Sequence, residues 1–506
     1  EIPKRDWSSD VCSSDLAPTN TTRTGRSPGA TSSSRQSGER TITTSRADAF
    51  LAGLDGAFVL GVNPPVVDFA FGDVWAKPLG LLYLLEELRE RGNSVALIDC
   101  VHEGREKPLP FGRFRIARES VPKPAPYRDI PRRYWKYGMG EAAFRSRLAL
   151  LPRPDAVLLT SGMTYWYPGV AWCLAILRDV LPGVPVLLGG VYARLCPEHA
   201  DSLGADVVQT KFRPVSAARP AFDLYDGLGY AVTATSWGCP LRCGYCASSR
   251  LWPSFVLRPP DEVEREISFE LSLPEVNDIA FYDDALLVGR ETRFLPLASF
   301  LERFDGARFH TPNGLHVREI DAACACALRR ARFVTLRLSL ESVDPGIGHS
   351  GSDKVSRDQY ARAVANLLDA GYEPERLETY LLVGLPGQTP ESVADAIAFV
   401  RSRGAVPKLA EFSPLPGTRM FADACARSPE IASEPLLQNN TAWAPYIGRT
   451  IDPQTLQDLK DFAKGRRGAA RFSASGGDDE TPPDASPSDR CLSSEDSRAD
   501  RPPECR

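Results

Sequence analysis

The chain has 506 residues, of which 43% are hydrophobic and 25% charged, and a formal net charge of −5. That length suits two or three globular domains, and the acidic balance argues against a broad nucleic-acid-binding surface. No stretch is long and apolar enough to span a bilayer, no secretory signal is apparent, and twelve cysteines in so long a chain point to metal binding in a reducing cytoplasm rather than to disulfides.

Residues 1–50 are expected to be disordered or foreign to the native protein. They are rich in Ser, Thr, Arg and Gly, lack apolar periodicity, and open with KRDWSSDVCSSDL, which reads like translated non-coding sequence. From about residue 55 the pattern becomes regular. GAFVLGVNPP reads as a strand stopped by its prolines, and PLGLLYLLEELRERG as a helix closed by Gly92. SVALIDC, PDAVLLTSG, VPVLLGGVYA and ADVVQ follow as strands, with GVAWCLAILRDVLPG as a helix. Alternation of this kind predicts a parallel, doubly wound α/β sheet over 55–215. Ligands bind such sheets at the carboxyl ends of the strands, so Asn63 to Pro65, Asp99, Ser161 to Thr164, and Gly189 to Tyr192, with Gly190 among them, form the candidate face. An insert at roughly 103–150 brings Tyr134, Trp135 and Tyr137, which suit either a cover over a ligand or packing under a long loop.

A second alternation runs over 225–425. Its strands are YAVTATS, NDIAFYDD, ARFHTPNG, FVTLRLSLES, RLETYLLVGLPG and KLAEFSPLPG, each but the last followed by a helix. Six such units predict a partial (β/α) barrel, with polar groups gathered at the carboxyl ends of the strands. Residues 426–466 read as a C-terminal helical extension and 467–506, rich in Ser, Asp and Pro, as a disordered tail.

The loop after the first barrel strand, SWGCPLRCGYC, carries Cys239, Cys243 and Cys246 in a C-x3-C-x2-C spacing, with Tyr245 before the third. Three thiolates so close in sequence can converge on one metal centre. A closed structural zinc site needs four protein ligands, whereas a 4Fe–4S cluster on three cysteines keeps one iron open. A zinc knuckle completed by a distant Cys or His is the competing reading.

The cysteine spacing and its aromatic resemble the radical S-adenosylmethionine (SAM) superfamily. The resemblance implies a 4Fe–4S cluster on Cys239, Cys243 and Cys246, whose open iron holds the amino and carboxylate groups of SAM. Reductive cleavage then gives a 5′-deoxyadenosyl radical, with flavodoxin or ferredoxin as the reducing partner. It further implies cofactor-binding roles for several strand ends. Tyr245 would lie beside the adenine. Asp283 or Asp284 would hold the methionine amino group, although the usual Gly-Gly-Glu is absent. Ser339 and Glu341 would meet the ribose or methionine portion, and Gly384 and Pro386 of VGLPG would form the adenine-side turn.

The NPP turn, the PLGLLYL helix, the TSGMT turn and the LLGG strand end resemble the cobalamin-binding domain that precedes many radical SAM barrels. Cobalamin is therefore an expected third cofactor, bound at Asn63, Gly189 and Gly190. The motif D-x-H-x-x-G, which supplies a cobalt ligand in some relatives, is only approached by Asp99-Cys100-Val101-His102-Glu103-Gly104, and His102 is expected to be a solvated loop residue. The resemblance implies methyl transfer to a small-molecule substrate. The alternatives are an empty Rossmann-like scaffold, a cobalamin-free enzyme such as a methylthiotransferase, and a non-catalytic metal-binding protein.

Overall fold

The computed structural model describes residues 45–466 except 215 and 345–354, together with Phe472. The expected disorder over 1–44 and 467–506 thus lies outside the described residues, apart from Phe472, whose ring packs on Phe462 with centroids 6.0 Å apart. Helix α1 (Arg46–Ala52) corrects the N-terminal boundary: Ser45 caps it by accepting from the Asp48 amide, and Ala47 and Leu51 are buried.

The first sheet contains β1 (Phe58–Asn63), β2 (Ser94–Asp99), β3 (Ala156–Leu159), β4 (Val186–Leu188) and β5 (Val207–Val208). Their order across the sheet is β5-β4-β3-β1-β2, all parallel. The sheet therefore reverses direction of growth between β1 and β3, the place where doubly wound folds open a crevice. Helices α2 (Leu79–Glu90) and α3 (Tyr167–Val180) supply apolar faces for it.

The second sheet contains β6 (Ala231–Thr233), β7 (Asp278–Phe281), β8 (Arg308–His310), β9 (Phe333–Glu341), β10 (Leu377–Val383) and β11 (Val406–Glu411). These six strands are parallel and lie in sequence order. Helices α4 (Pro260–Glu270), α5 (Phe294–Leu301), α6 (Ala322–Arg330), α7 (Arg357–Asp369) and α8 (Pro390–Ser402) alternate with them. The predicted α/β architecture, a parallel Rossmann-like sheet and then a six-unit partial barrel, is present. A short extra strand, Leu315–His316, pairs with β9.

The insert is not a plain loop. Arg105–Pro108 pairs antiparallel with Phe114–Ile116, and Trp135–Tyr137 bridges Val66–Asp68 and Arg118–Ser120. Tyr134 and Tyr137 are buried within it. The C-terminal extension ends in α9 (Pro453–Ala463), capped by Asp452.

Buried polar contacts bolt the two sheets together. The Tyr83 hydroxyl donates to Glu266 at 2.6 Å, Tyr225 to Asp99 at 2.8 Å, and Tyr230 to Asp73 at 2.7 Å. Asp68 takes hydrogen bonds from the Phe69 amide at 2.6 Å, from Trp166 Nε1 at 2.8 Å and from Asn439 Nδ2 of the extension at 2.9 Å. Burial raises its carboxyl above the ordinary range, against these donors. Among the described residues no helix is long and apolar enough to cross a membrane.

Candidate active site

The cysteine loop leaves β6 through a two-residue ribbon, Ser236–Trp237, paired antiparallel with Val256–Leu257. Trp237 stacks on Trp252 with centroids 5.1 Å apart, which fixes the base of the loop. Gly238 turns the chain with φ 75°, and a Cβ there would stand 2.9 Å from the Trp252 Cβ. Cys243 and Cys246 are buried and Cys239 half-buried. The Ser248 amide donates to Cys246 Sγ at 3.4 Å, a contact that favours a thiolate.

No group of three Cys, His, Asp or Glu side chains among the described residues is close enough to share a single metal ion. Three thiols on one loop, one of them accepting an amide hydrogen bond, offer three ligands to a metal centre and leave its remaining position to another group.

The loop opens on a cavity of about 560 Å³. From the barrel it is lined by Trp237, Cys246, Ser248, Asp284 and Asn313, and from the first sheet by Asn63, Pro64, Ser161, Gly189 and Gly190. The carboxyl ends of β1, β3 and β4 therefore face the cysteine loop across one space. Its volume lies within the range of cofactor pockets.

The expected cofactor-binding residues divide into those that reach this space and those that do not. Asp284 reaches it and accepts from Ser248 Oγ at 2.6 Å. Asp283 does not. It is buried and accepts from Thr235 N at 2.9 Å, Thr235 Oγ1 at 2.7 Å and Ser236 Oγ at 2.6 Å, with Arg293 beside it at 3.3 Å. These bonds tie it to the strand that launches the cysteine loop, and it is not among the residues lining the cavity. Gly384 has φ 88°, and a Cβ on it would lie 2.6 Å from the Ala444 Cβ. The VGLPG turn thus packs against the C-terminal extension, and neither Gly384 nor Pro386 is among the residues lining the cavity.

Glu341 ends β9 in a left-handed conformation, φ 66°, at a register shift that begins after Ser339. Such a conformation in a buried glutamate stores strain of the kind found at functional sites. Tyr245 is buried beside it. Burial, then the Glu341 carboxylate and Cys243, raise the Tyr245 phenol well above its ordinary range. Tyr245 therefore joins the cysteine loop to the end of β9. Ser339 lies beneath Gly314, where a Cβ would stand 1.9 Å from its Oγ.

On the first-sheet side, Asn63 donates to Asp99 at 2.8 Å. Gly190 has φ 95°, and a Cβ there would meet the Ser161 carbonyl oxygen at 2.2 Å, whereas one on Gly189 would find nothing nearer than Gln209 at 3.8 Å. Sequence reasoning missed Arg194 and Gln209. Arg194 Nε and Nη2 and Gln209 Oε1 are buried without hydrogen-bond partners, and both residues line the cavity. The guanidinium sits 5.4 Å over Trp252 and 5.6 Å over Phe212, and burial lowers it to about 10. Unpaired buried donors and an unpaired buried acceptor on residues of one cavity wall are costly unless a ligand satisfies them.

His102 is not solvated. It is buried, its Nδ1 stands 2.7 Å from Lys77 Nζ and its Nε2 3.2 Å from the Asp226 carbonyl. Burial, then the Lys77 charge, push its imidazole down to about 2, so it is neutral, with Nε2–H donating to Asp226 and Nδ1 accepting from the ammonium. Both nitrogens are engaged within the protein, which leaves none for a metal.

Burial also lowers Lys77 from 10.5 to about 8. The unfolded chain then binds the extra proton between those values, so stability rises with pH across that window. The full effect is roughly 3 kcal/mol. Lys77→Met should flatten this rise in urea midpoints measured from pH 8 to 10; an unchanged slope would show that Lys77 titrates normally.

Comparison with known proteins now bears on the site. Residues 235–400 match the radical SAM superfamily. The second domain is a radical SAM domain. A curated relative, an uncharacterized methyltransferase of Pyrococcus horikoshii, is 27% identical over 261 residues, which are 48% of this chain and 51% of the relative. The chain thus spans about half the length of the curated relative it matches. Among solved structures, the radical SAM methyltransferase TsrM of Kitasatospora setae, with tryptophan and a SAM analogue bound, shares the fold with a TM-score of 0.54 at 16% identity, over 74% of this chain and 77% of that one. A second TsrM structure, with cobalamin and a 4Fe–4S cluster bound, gives a TM-score of 0.52 at 15% identity, over 74% of this chain and 76% of that one. The shared fold includes the sheet that precedes the radical SAM domain.

Proposed function

We propose that the chain is a cobalamin-dependent radical SAM methyltransferase. One observation carries the reading: the cysteine loop of the radical SAM domain and the strand ends of the first sheet line a single cavity. When bound, a 4Fe–4S cluster would supply the electron that cleaves SAM, and cobalamin would carry the methyl group. The residues present do the rest. Cys239, Cys243 and Cys246 would hold the cluster. Asp284, already oriented by Ser248, is placed to accept from an ammonium group. Neither Glu341 nor Tyr245 lines the cavity, and the pair would fix the end of β9 against the cysteine loop from behind the SAM site. Gly189 leaves a backbone surface without a side chain, and Arg194 and Gln209 offer donors and an acceptor suited to the amide groups at a corrin's rim or the phosphate of its nucleotide tail. His102, held by Lys77 and the Asp226 carbonyl, would not serve as a cobalt ligand.

The cysteines of the first domain do not support a methylthiotransferase with a second cluster. Cys100 adjoins Cys173 in the core, and Cys196 meets Gln438 at 3.9 Å. The reading puts the enzyme in a reducing cytoplasm, with flavodoxin or ferredoxin as electron donor.

Anaerobic reconstitution with iron, sulfide and hydroxocobalamin tests the proposal. The protein should take up both cofactors and convert SAM to 5′-deoxyadenosine; uptake of neither would refute it. Glu341→Gln should weaken SAM binding about tenfold, the equivalent of about 1.4 kcal/mol, with an unaltered cluster spectrum. Equal affinity in the variant would make Glu341 a purely structural residue.

A further inference from the structure

A second, wider cleft of about 2030 Å³ lies between the insert and the C-terminal extension. The proposed cofactor site does not account for it. Six cations of the insert line it: Arg113, Arg115, Arg118, Lys123, Arg132 and Arg133. Its own carboxylates are mostly engaged. Glu378 is held by Arg337 and by Lys408 at 2.7 Å, Glu411 by Lys460, and Asp73 accepts from Tyr230 at 2.7 Å and from the Phe114 amide at 2.9 Å. Asp73, whose donors are neutral and whose charge acts on Arg113, and the exposed Glu106 are left to face the six. The cleft is therefore strongly positive in a chain whose formal net charge is −5.

Four of these cations are held in place by contacts within the protein. The Arg113 guanidinium lies 4.6 Å over Trp75, Arg118 4.4 Å over Trp135, and Arg132 5.7 Å over Phe69. Lys123 donates to the carbonyls of Arg128 at 3.0 Å and Ile130 at 2.6 Å. A guanidinium stacked on an aromatic ring is already oriented, so less side-chain entropy is lost when a planar anion binds its N–H edge. The cleft also adjoins the cofactor cavity, because Phe71, Val74 and Arg337 line both.

We propose that this cleft binds a substrate carrying two or more phosphate or carboxylate groups, with its reacting end at the passage formed by Phe71, Val74 and Arg337. The anionic body lies along the stacked arginines, and only the far end enters the cavity where the cysteine loop stands. The size of the cleft, above that of an ordinary small-molecule pocket, calls for an extended molecule. Focused positive charge would also speed its capture at low ionic strength.

The inference deepens the proposed function and rests on it for the chemistry beyond the passage, but its test does not. Tripolyphosphate is titrated into the reconstituted full chain, with tryptophan fluorescence as the readout, since Trp75 and Trp135 lie beneath two of the arginines. Saturable binding is expected, weakening as salt is raised. The double variant Arg118→Glu/Arg132→Glu should weaken it at least about tenfold. The gentler Arg115→Gln/Arg133→Gln pair changes only exposed side chains and should weaken it about threefold, which covers the case in which the first variant misfolds. Equal binding by the gentler pair and the wild type would overturn the inference, as would displacement of tripolyphosphate by an equal concentration of acetate. An RNA oligonucleotide that binds about a hundredfold more tightly would also overturn it, in favour of a nucleic acid. SAM cleavage and cobalamin uptake are read on the same samples. If they succeed and tripolyphosphate does not bind, the substrate class alone is wrong; if tripolyphosphate binds and they fail, the proposed function is wrong.

Discussion

Replacing any one of Cys239, Cys243 and Cys246 by Ala should bring reductive SAM cleavage down to background. Each thiolate would be a direct ligand, and the loop offers no substitute. Its base is clamped by the Trp237–Trp252 stack, so it cannot slide to present another residue. The other buried thiols of the first domain, Cys100, Cys173 and Cys196, belong to a separate apolar core. Cys324, buried in α6 well along the chain from the loop, is the matched control, and Cys324→Ala should retain cleavage. The measurement is 5′-deoxyadenosine formed under anaerobic reduction, together with iron and sulfide content. A triple cysteine variant that still holds a full complement of both would sink the cluster assignment.

Adjacent glycines at the end of β4 should respond in opposite ways to the same substitution. At Gly190 a side chain would run into the Ser161 backbone, and φ 95° disfavours any L residue. Gly190→Leu is therefore expected to destabilise the first sheet by several kcal/mol, from overlap with backbone that cannot move aside. A loss of cobalamin there would say little about the ligand. Gly189 has an ordinary φ and room for a Cβ. Gly189→Leu should leave the melting temperature within a few degrees of wild type and the cluster spectrum intact, yet abolish cobalamin uptake by filling the cavity. Normal uptake by a well-folded Gly189→Leu protein would return the first sheet to the status of an empty scaffold.

The eleven sheet strands were legible because most are apolar runs bounded by turn residues, and because helices alternate with them, which placed even β8, Arg-Phe-His, by its position in the series. The insert was not legible. Its strands are three or four residues long, and Trp135–Tyr137 pairs with Val66–Asp68, a partner far back in the chain that local pattern cannot reveal. The site was read unevenly for a related reason. The cysteines announce themselves by spacing, which is a property of one loop. Asp283 and Asp284 are neighbours in sequence, yet one is saturated by Thr235 and Ser236 and the other faces the cavity. That division depends on where β6 and its loop run in space. Gly384 looked like a ligand turn, and only the position of Ala444 shows that packing demands it. Arg194 carried no signal at all, since an arginine in a short helix is ordinarily a solvated one.

Asp68 gathers donors from its own turn, from the start of α3 and from the C-terminal extension, at the seam of the molecule. Swinging the first sheet away from the barrel would strip this carboxylate of the extension's amide while it is still enclosed, and the same motion would break the Tyr83–Glu266 and Tyr225–Asp99 contacts. The protein therefore has no cheap hinge. On the proposed reading, molecules would reach the cavity past the side chains of Phe71, Val74 and Arg337, which line both it and the wider cleft, rather than through parted domains. A catalyst built around a reactive radical would gain from such a design, because its walls would stay in place between one cycle and the next.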